Sequence, residues 1–429
     1  MNSLRRDIVA GVLAGMVALG GVAMADWPQF QGPNRDGSSP ETGLLRSWPE
    51  TGPRELWSTP LGSGHASASV MGGEVYVLDR VDDAKDVLRC YSLADGKEQW
   101  SYSYDAPGGA ARPGSRTPPT LDEKYVYSVG MMGNFLCVDR KTHQPVWEKN
   151  LMTEFKAEVP QWGFSQSPLL YKNLVIVAPS AADAFAVAFD RVTGEVVWKS
   201  PGLGLPGYVS PQILTLAGVE QVVVTSAGNR EGTTKGCTAG LNPLDGSVLW
   251  KYEGWQNFIP IPHATALGDD KLFITGGYDC GSAIIQIKKS GDVLTAEEIT
   301  KIDATVCGSQ IQQPIVYKDH IYVGNNSNER ELGLTCMTKD GMVKWRTSDN
   351  EALPNFERGP FILADGMLIG LDGKDGTLHL VDPSPEGYKE LAQAKVLVGR
   401  ELWAPLALSD GKLLLRNNKA MKCLDLKNP

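Results

Sequence analysis

Short runs of β-branched and aromatic residues, bounded by Gly, Asp and Asn, recur along the chain and predict strands rather than helices. Eight of them follow one another, at 74–78, 125–129, 174–177, 221–224, 271–274, 320–323, 366–369 and 412–415. Most are followed by a tight turn and a Trp, as in Asp95-Gly96-Lys97-Glu98-Gln99-Trp100, Thr142-His143-Gln144-Pro145-Val146-Trp147, Thr193-Gly194-Glu195-Val196-Val197-Trp198, Asp245-Gly246-Ser247-Val248-Leu249-Trp250 and Asp340-Gly341-Met342-Val343-Lys344-Trp345. At the repeat position, from Trp57 through Trp100, Trp147 and Trp198 to Trp250, Trp recurs every 43 to 52 residues, and degenerate copies of the turn stand at Ser290-Gly291-Asp292-Val293-Leu294 and 385–391. A period of that length containing four short strands is the pattern of a propeller blade. No amphipathic helical stretch of useful length interrupts it.

The two ends complete each other. The last unit stops after Cys423-Leu424-Asp425 without a Trp strand, while 54–59 is a Trp strand with no blade before it. Pairing them leaves no open sheet edge between the ends of the repeat, and an open edge invites aggregation. The expected fold is therefore an all-β, eight-bladed propeller of four-stranded antiparallel blades, closed by strand 54–60 joining the C-terminal blade. Burying one Trp per blade removes about 200 Å² from water, worth up to roughly 5 kcal/mol gross. The repeat Trp residues are thus expected between blades.

Composition narrows the partners. The chain has 429 residues, 21% of them charged, and a formal net charge of −9, which speaks against nucleic acid and anionic lipid. Arg5 and Arg6, an apolar run over 8–22 and Ala23-Met24-Ala25 form the pattern of an export signal cleaved near Ala25. Cleavage leaves the remainder one charge more negative. No later segment is apolar enough to span a membrane. The expected organisation is a signal peptide over 1–25, an extension over 26–53 packing on the propeller, and a single propeller domain over 54–429, in a periplasmic or secreted monomer.

Seven Cys occur, and Cys90, Cys137, Cys336 and Cys423 each precede an Asp in the expected third strand of four different blades. Equivalent positions in separate blades lie too far apart for the Cα separation of under about 7 Å that a disulfide needs. They are expected as small core residues. The absence of Cys-x-x-Cys removes a zinc ribbon, a redox pair and covalent c-type haem attachment. No nucleophile elbow, P-loop or dinucleotide fingerprint stands in a strand-to-helix context.

The Asp-Gly-x-x-x-Trp turn, with Ser167-Pro168, Ser210-Pro211, Gln313-Pro314 and Ala404-Pro405 opening several blades, resembles the pyrroloquinoline-quinone-like β-propeller repeat family over roughly 54–427. The entry segment 27–37, with Trp48-Pro49 after it, looks like the leader of a secreted subgroup, with Gln31 where Arg is expected, and suits a belt lying over the ring. The resemblance implies one of two functions: quinoprotein dehydrogenases oxidising alcohols or sugars, or non-catalytic scaffolds such as the outer-membrane assembly propeller. The dehydrogenases hold the quinone between a Trp and, commonly, a disulfide of adjacent cysteines, with Ca²⁺ on Glu and Asn and an Asp as base. This chain has no adjacent Cys pair, and no Cys near the cleavage point to take the lipid that the scaffold normally carries.

In propellers the segments entering the innermost strands line the central funnel. Here they carry His65 and Ser67, Arg116 and Thr117, Ser165 and Gln166, Tyr208 and Ser210, His263 and Thr265, Gln310 and Gln312, Glu357 and Arg358, and Glu401 and Trp403. The candidate ligand contacts are His65, Arg116, Gln166, Tyr208, His263, Gln312, Glu357, Arg358 and Trp403. Of these, the two His have the chemistry of a base or a ligand, and Arg116 and Arg358 that of an oxyanion receptor or a partner for Glu357. Glu357 and Glu401, with Asn257, Asp279, Asn325 or Asn326 nearby, are the oxygens a Ca²⁺ site would draw on. Trp162 and Trp255 lie off the repeat position and are candidate exposed contacts. The function expected is an exported binding or scaffolding module without catalytic residues, cofactor or metal, its partner an envelope protein or a small molecule. The alternative is a dehydrogenase dependent on pyrroloquinoline quinone and calcium.

Overall fold

Eight antiparallel sheets form the ring of a β-propeller in the computed structural model, which describes residues 25–428. Apart from Ala25, the expected export signal lies outside the described residues. Blade 1 consists of Ser69–Met71, Glu74–Val81, Lys85–Ser92 and Glu98–Asp105. Blades 2 to 7 repeat that order over 120–150, 169–199, 212–252, 265–302, 315–346 and 361–395. Blade 8 takes three strands from 407–425 and its outermost strand, Glu55–Pro60, from the other end of the repeat. Trp57 pairs with Cys423 and Pro60 with Ala420 in that closing ladder, and the Arg54 guanidinium reaches Asp425 at 2.7 Å. The expected closure is the observed one. The one α-helix among the described residues, Leu151–Phe155, is a single turn capped by the Asn150 side chain.

Four of the repeat Trp residues fasten their blade to the next by an indole hydrogen bond. Indole Nε1 of Trp57, Trp147, Trp198 and Trp345 donates to the carbonyls of Leu93, Arg191, Pro243 and Ser384, at 2.8–3.1 Å. In the first three cases the turn Gly of the receiving blade lies against the indole: a Cβ on Gly96 would fall 2.6 Å from Trp57, and one on Gly194 2.8 Å from Trp147. At blade 2 that turn position is His143, held at φ 60°, and its ring stacks on Trp100 with centroids 4.6 Å apart. Blade 5 breaks the series because its outer hairpin is long, Ser282–Ser290 and Val293–Ile302, which carries Gly291 away from any neighbour. Trp250 therefore bonds Gln221 of its own blade. Cys90, Cys137, Cys336 and Cys423 are fully buried in the third strands.

A second seam runs round the inner wall. Ser69 Oγ donates to Pro119 O, Thr120 Oγ1 to Pro168 O, and Gln313 Nε2 to His263 O, while Ser210 Oγ accepts from Ser167 N. Each bond joins neighbouring blades, so backbone groups beside the channel are satisfied without water.

The extension before the ring crosses the channel instead of lying over it as a belt. Trp27 pairs with Val70 of blade 1, Pro28 O accepts from Leu121 N of blade 2, and Ser38–Ser39 runs parallel to Leu363 and Ala364 of blade 7. Midway, the buried Arg35 guanidinium donates to Ser167 O at 3.1 Å, Pro168 O at 2.8 Å and Gln29 Oε1 at 3.0 Å. The segment passes from one side of the ring to the other and closes the channel.

Candidate functional site

Above that closure the channel opens as a cup of about 220 Å³. Phe30 and Gln31 of the crossing segment line it, and we take them as its floor. Gln31 sits at φ 60°, a left-handed conformation that a non-Gly residue adopts at a cost, and the following Gly32 at φ 80° lies under the Trp27 ring. Two further lining residues, Tyr278 and Arg358, share that conformation at 60° and 53°. Strained backbone held by surrounding structure clusters at functional sites.

The wall brings together His65, Arg116, Tyr208, Gln312, Arg358 and Trp403 of the expected contacts, and adds Trp162. Trp162 was expected as an exposed contact; here it is half-buried and its ring meets Tyr208 with centroids 5.2 Å apart. Three expected contacts stand behind the wall. Gln166 is buried and donates to Gly207 O at 2.7 Å. His263 is buried under Phe30, its ring edge-on at 6.0 Å. Glu357 is buried beneath Arg358 and Trp403, accepting from Arg358 Nε and Trp403 Nε1, both at 2.9 Å. Trp255 is corrected outright as an exposed contact: it is 6% exposed and its indole donates to Cys280 O. An aromatic off the repeat position is as free to fill the gap between blades as to face solvent.

Arg112, Tyr278 and Asn328 also line the cup and were not foreseen. Tyr278 and Asn328 come from connections between second and third strands, which emerge at the same end of the ring as the entry segments. The irregular stretches 276–281 and 327–330 were the signal in the sequence.

Charge at the cup is one-sided. Three guanidiniums line it, those of Arg112, Arg116 and Arg358, and no carboxylate does. Arg358 is paired with Glu357 and Arg112 with Glu401. Arg116 meets only carbonyls, Gly114 O at 2.8 Å and Arg112 O at 3.0 Å. Burial, with Arg112 adding repulsion, brings the Arg116 guanidinium down to about 10, so it stays charged at neutral pH. Burial, then Arg116, Arg416 and Arg112, holds His65 down to about 3. An imidazole so weakly basic is neutral and a poor proton acceptor at pH 7. Burial raises the phenols of Tyr208 and Tyr278.

These residues do not suit calcium. Glu357 and Glu401 are each committed to an arginine, Asp279 to Arg330, and the side-chain oxygens of Asn257, Asn325 and Asn326 accept from Ile259, Gly308 and Gly333 N–H groups. Among the described residues no group of three or more His, Cys, Asp or Glu is placed to hold a metal ion. A hard dication beside three guanidiniums would also be repelled.

Comparison with known proteins bears on the fold. Residues 84–258 match the family model described as outer membrane protein assembly factor BamB. No curated protein matches the chain in sequence. Among solved structures, BamB from Moraxella catarrhalis is 11% identical, with 87% of this chain and 99% of that one covered and a TM-score of 0.58. The quinohemoprotein alcohol dehydrogenase ADHIIG from Pseudomonas putida HK5 is 11% identical over 94% of this chain and 81% of that one, with a TM-score of 0.65. A europium-containing methanol dehydrogenase is 12% identical, covering 91% and 89%, with a TM-score of 0.63. Identities this low carry the architecture and leave the activity open. The Trp turn recurring round a ring of eight blades and the sequence match over 84–258 give the chain the fold of the pyrroloquinoline-quinone-like β-propellers and make it similar to that repeat family.

Proposed function

We propose that this protein is an exported, non-catalytic binding module that holds a ligand in the cup at the centre of its ring. One observation carries the reading: the two carboxylates of the funnel entries, Glu357 and Glu401, are tied to Arg358 and Arg112. A metal-assisted oxidation needs carboxylate oxygens for the cation and a free base for the substrate hydroxyl. The cup presents guanidinium, indole, phenol and amide groups instead, which bind and orient without exchanging protons at pH 7. Export rests on the Arg5-Arg6 start and the Ala23-Met24-Ala25 end, and a place in the envelope is supported by likeness to a protein named as an outer membrane assembly factor.

The test is reconstitution of purified protein with pyrroloquinoline quinone and Ca²⁺, followed by assay of dye reduction with alcohols and sugars. No turnover is expected. Substrate-dependent dye reduction would overturn the reading and restore the dehydrogenase.

A further inference from the structure

Resting on the reading of the cup as a binding site, we propose that its ligand is a small organic anion, with its oxyanion group on Arg116 and a flat apolar body beside Trp162 and Tyr208. Of the three guanidiniums in the wall, Arg358 and Arg112 are neutralised by Glu357 and Glu401. Arg116 has two carbonyl partners and no carboxylate. Among these guanidiniums and the carboxylates paired with them, Arg116 is the cation left without a counter-charge, in a half-buried place where a lone charge is costly. A carboxylate or phosphate monoester offers the planar or forked acceptors that guanidinium matches best.

The rest of the wall decides what carries that anion. Trp403 is not a free platform, since Arg358 lies over its ring at 4.5 Å and His65 stacks on it at 5.8 Å. Trp162 and Tyr208 meet at a tilt of 50° and are half-buried, so they offer aromatic surface to a guest. A cup of about 220 Å³ has room for a single ring with its acid group.

Titration of the full-length protein with benzoate, phenyl phosphate and neutral benzamide, read by tryptophan fluorescence and ligand-detected NMR, tests this. Benzoate or phenyl phosphate should bind at least tenfold more tightly than benzamide, and the stronger of the two identifies the acid as carboxylate or phosphate. Arg116→Gln should erase the preference for anions, while Arg116→Lys should keep the preference at reduced affinity. Thermal unfolding of both variants confirms that they fold, and if Arg116→Gln does not, loss of the wild-type preference in high salt replaces it. Benzamide binding as tightly as the anions overturns the proposal and leaves the cup a binding site. Failure of all three probes also overturns it, whereas the reading of the cup as non-catalytic falls separately, on dye reduction with quinone and calcium. An anion preference unchanged in Arg116→Gln moves the receptor elsewhere and equally overturns it.

Discussion

The guanidinium carbon of Arg358 lies 4.5 Å from the centre of the Trp403 ring, and Glu357 accepts a hydrogen bond from each of them. The three side chains form one unit that holds Arg358 at the cup. Trp403→Phe keeps a ring under the cation and loses the indole donor, a cost of about 1 kcal/mol. Trp403→Ala also loses the cation–π contact and the packing, and should cost about 3 kcal/mol. Urea unfolding of the two variants checks the order; equal losses would mean that the ring does not support Arg358.

The turn glycines separate two causes of strain. Gly246 at φ 73° lies against Trp198, whereas Gly291 at φ 61° has nothing near it. Gly291→Ala should cost about 1 kcal/mol, for backbone strain alone. Gly246→Ala adds the displacement of a buried indole and should cost about 3 kcal/mol. Thermal unfolding of the pair reads the difference, and similar losses would refute the account of the Trp seam.

Arg35 fixes the floor of the cup from within the channel. Arg35→Ala strands the carbonyl of Ser167, takes the only side-chain donor from the half-buried Gln29 amide oxygen, and leaves Pro168 O with Thr120 Oγ1 alone. Each unsatisfied buried acceptor costs about 1–3 kcal/mol. Hydrogen exchange should show faster amide exchange in 26–39 than in the blades; uniform acceleration would mean that the segment is not held by this residue.

His263 gives the fold an acid sensitivity. Its ordinary value is 6.5, and complete burial, with Arg35 adding repulsion, lowers it to about 3 in the native state. Between those values the unfolded chain binds a proton that the native chain refuses, so stability falls as pH drops from about 6.5 towards 3. The melting temperature of His263→Gln should decline less steeply than wild type over that window. Parallel curves would place the acid sensitivity elsewhere.

Glu401 tempers the cup through Arg112. Glu401→Gln frees that guanidinium, which is exposed enough to stay solvated, and should tighten benzoate binding two- to fivefold, about 0.4–1 kcal/mol. Isothermal titration at low salt measures it. Weaker binding would show that Arg112 must be held by Glu401 to serve the site.

The ring was legible because the repeat is written in local terms. Strand runs, turn glycines and the Trp at the end of each hairpin are near in sequence, and the orphan strand around Trp57 announces its missing partner. The Cys positions followed from the same register. The cup was half legible. Entry residues such as His65, Arg116 and Trp403 could be placed at the funnel because every blade begins there, but Glu357, Gln166 and His263 turn behind the wall and Trp255 turns inward.

What no local pattern contains is the pairing of side chains from different blades. Whether Glu357 faces a cation in the funnel or Arg358 and Trp403 depends on the angle between blades 7 and 8, and whether Phe30 covers the ring or floors its channel depends on Arg35 finding carbonyls in blade 3. Periodicity and turn chemistry act over a few residues, so the chain alone specifies blades, their number and their closure. The sign of the charge in the cup is a sum over residues from all round the ring, and it exists only once the ring has closed.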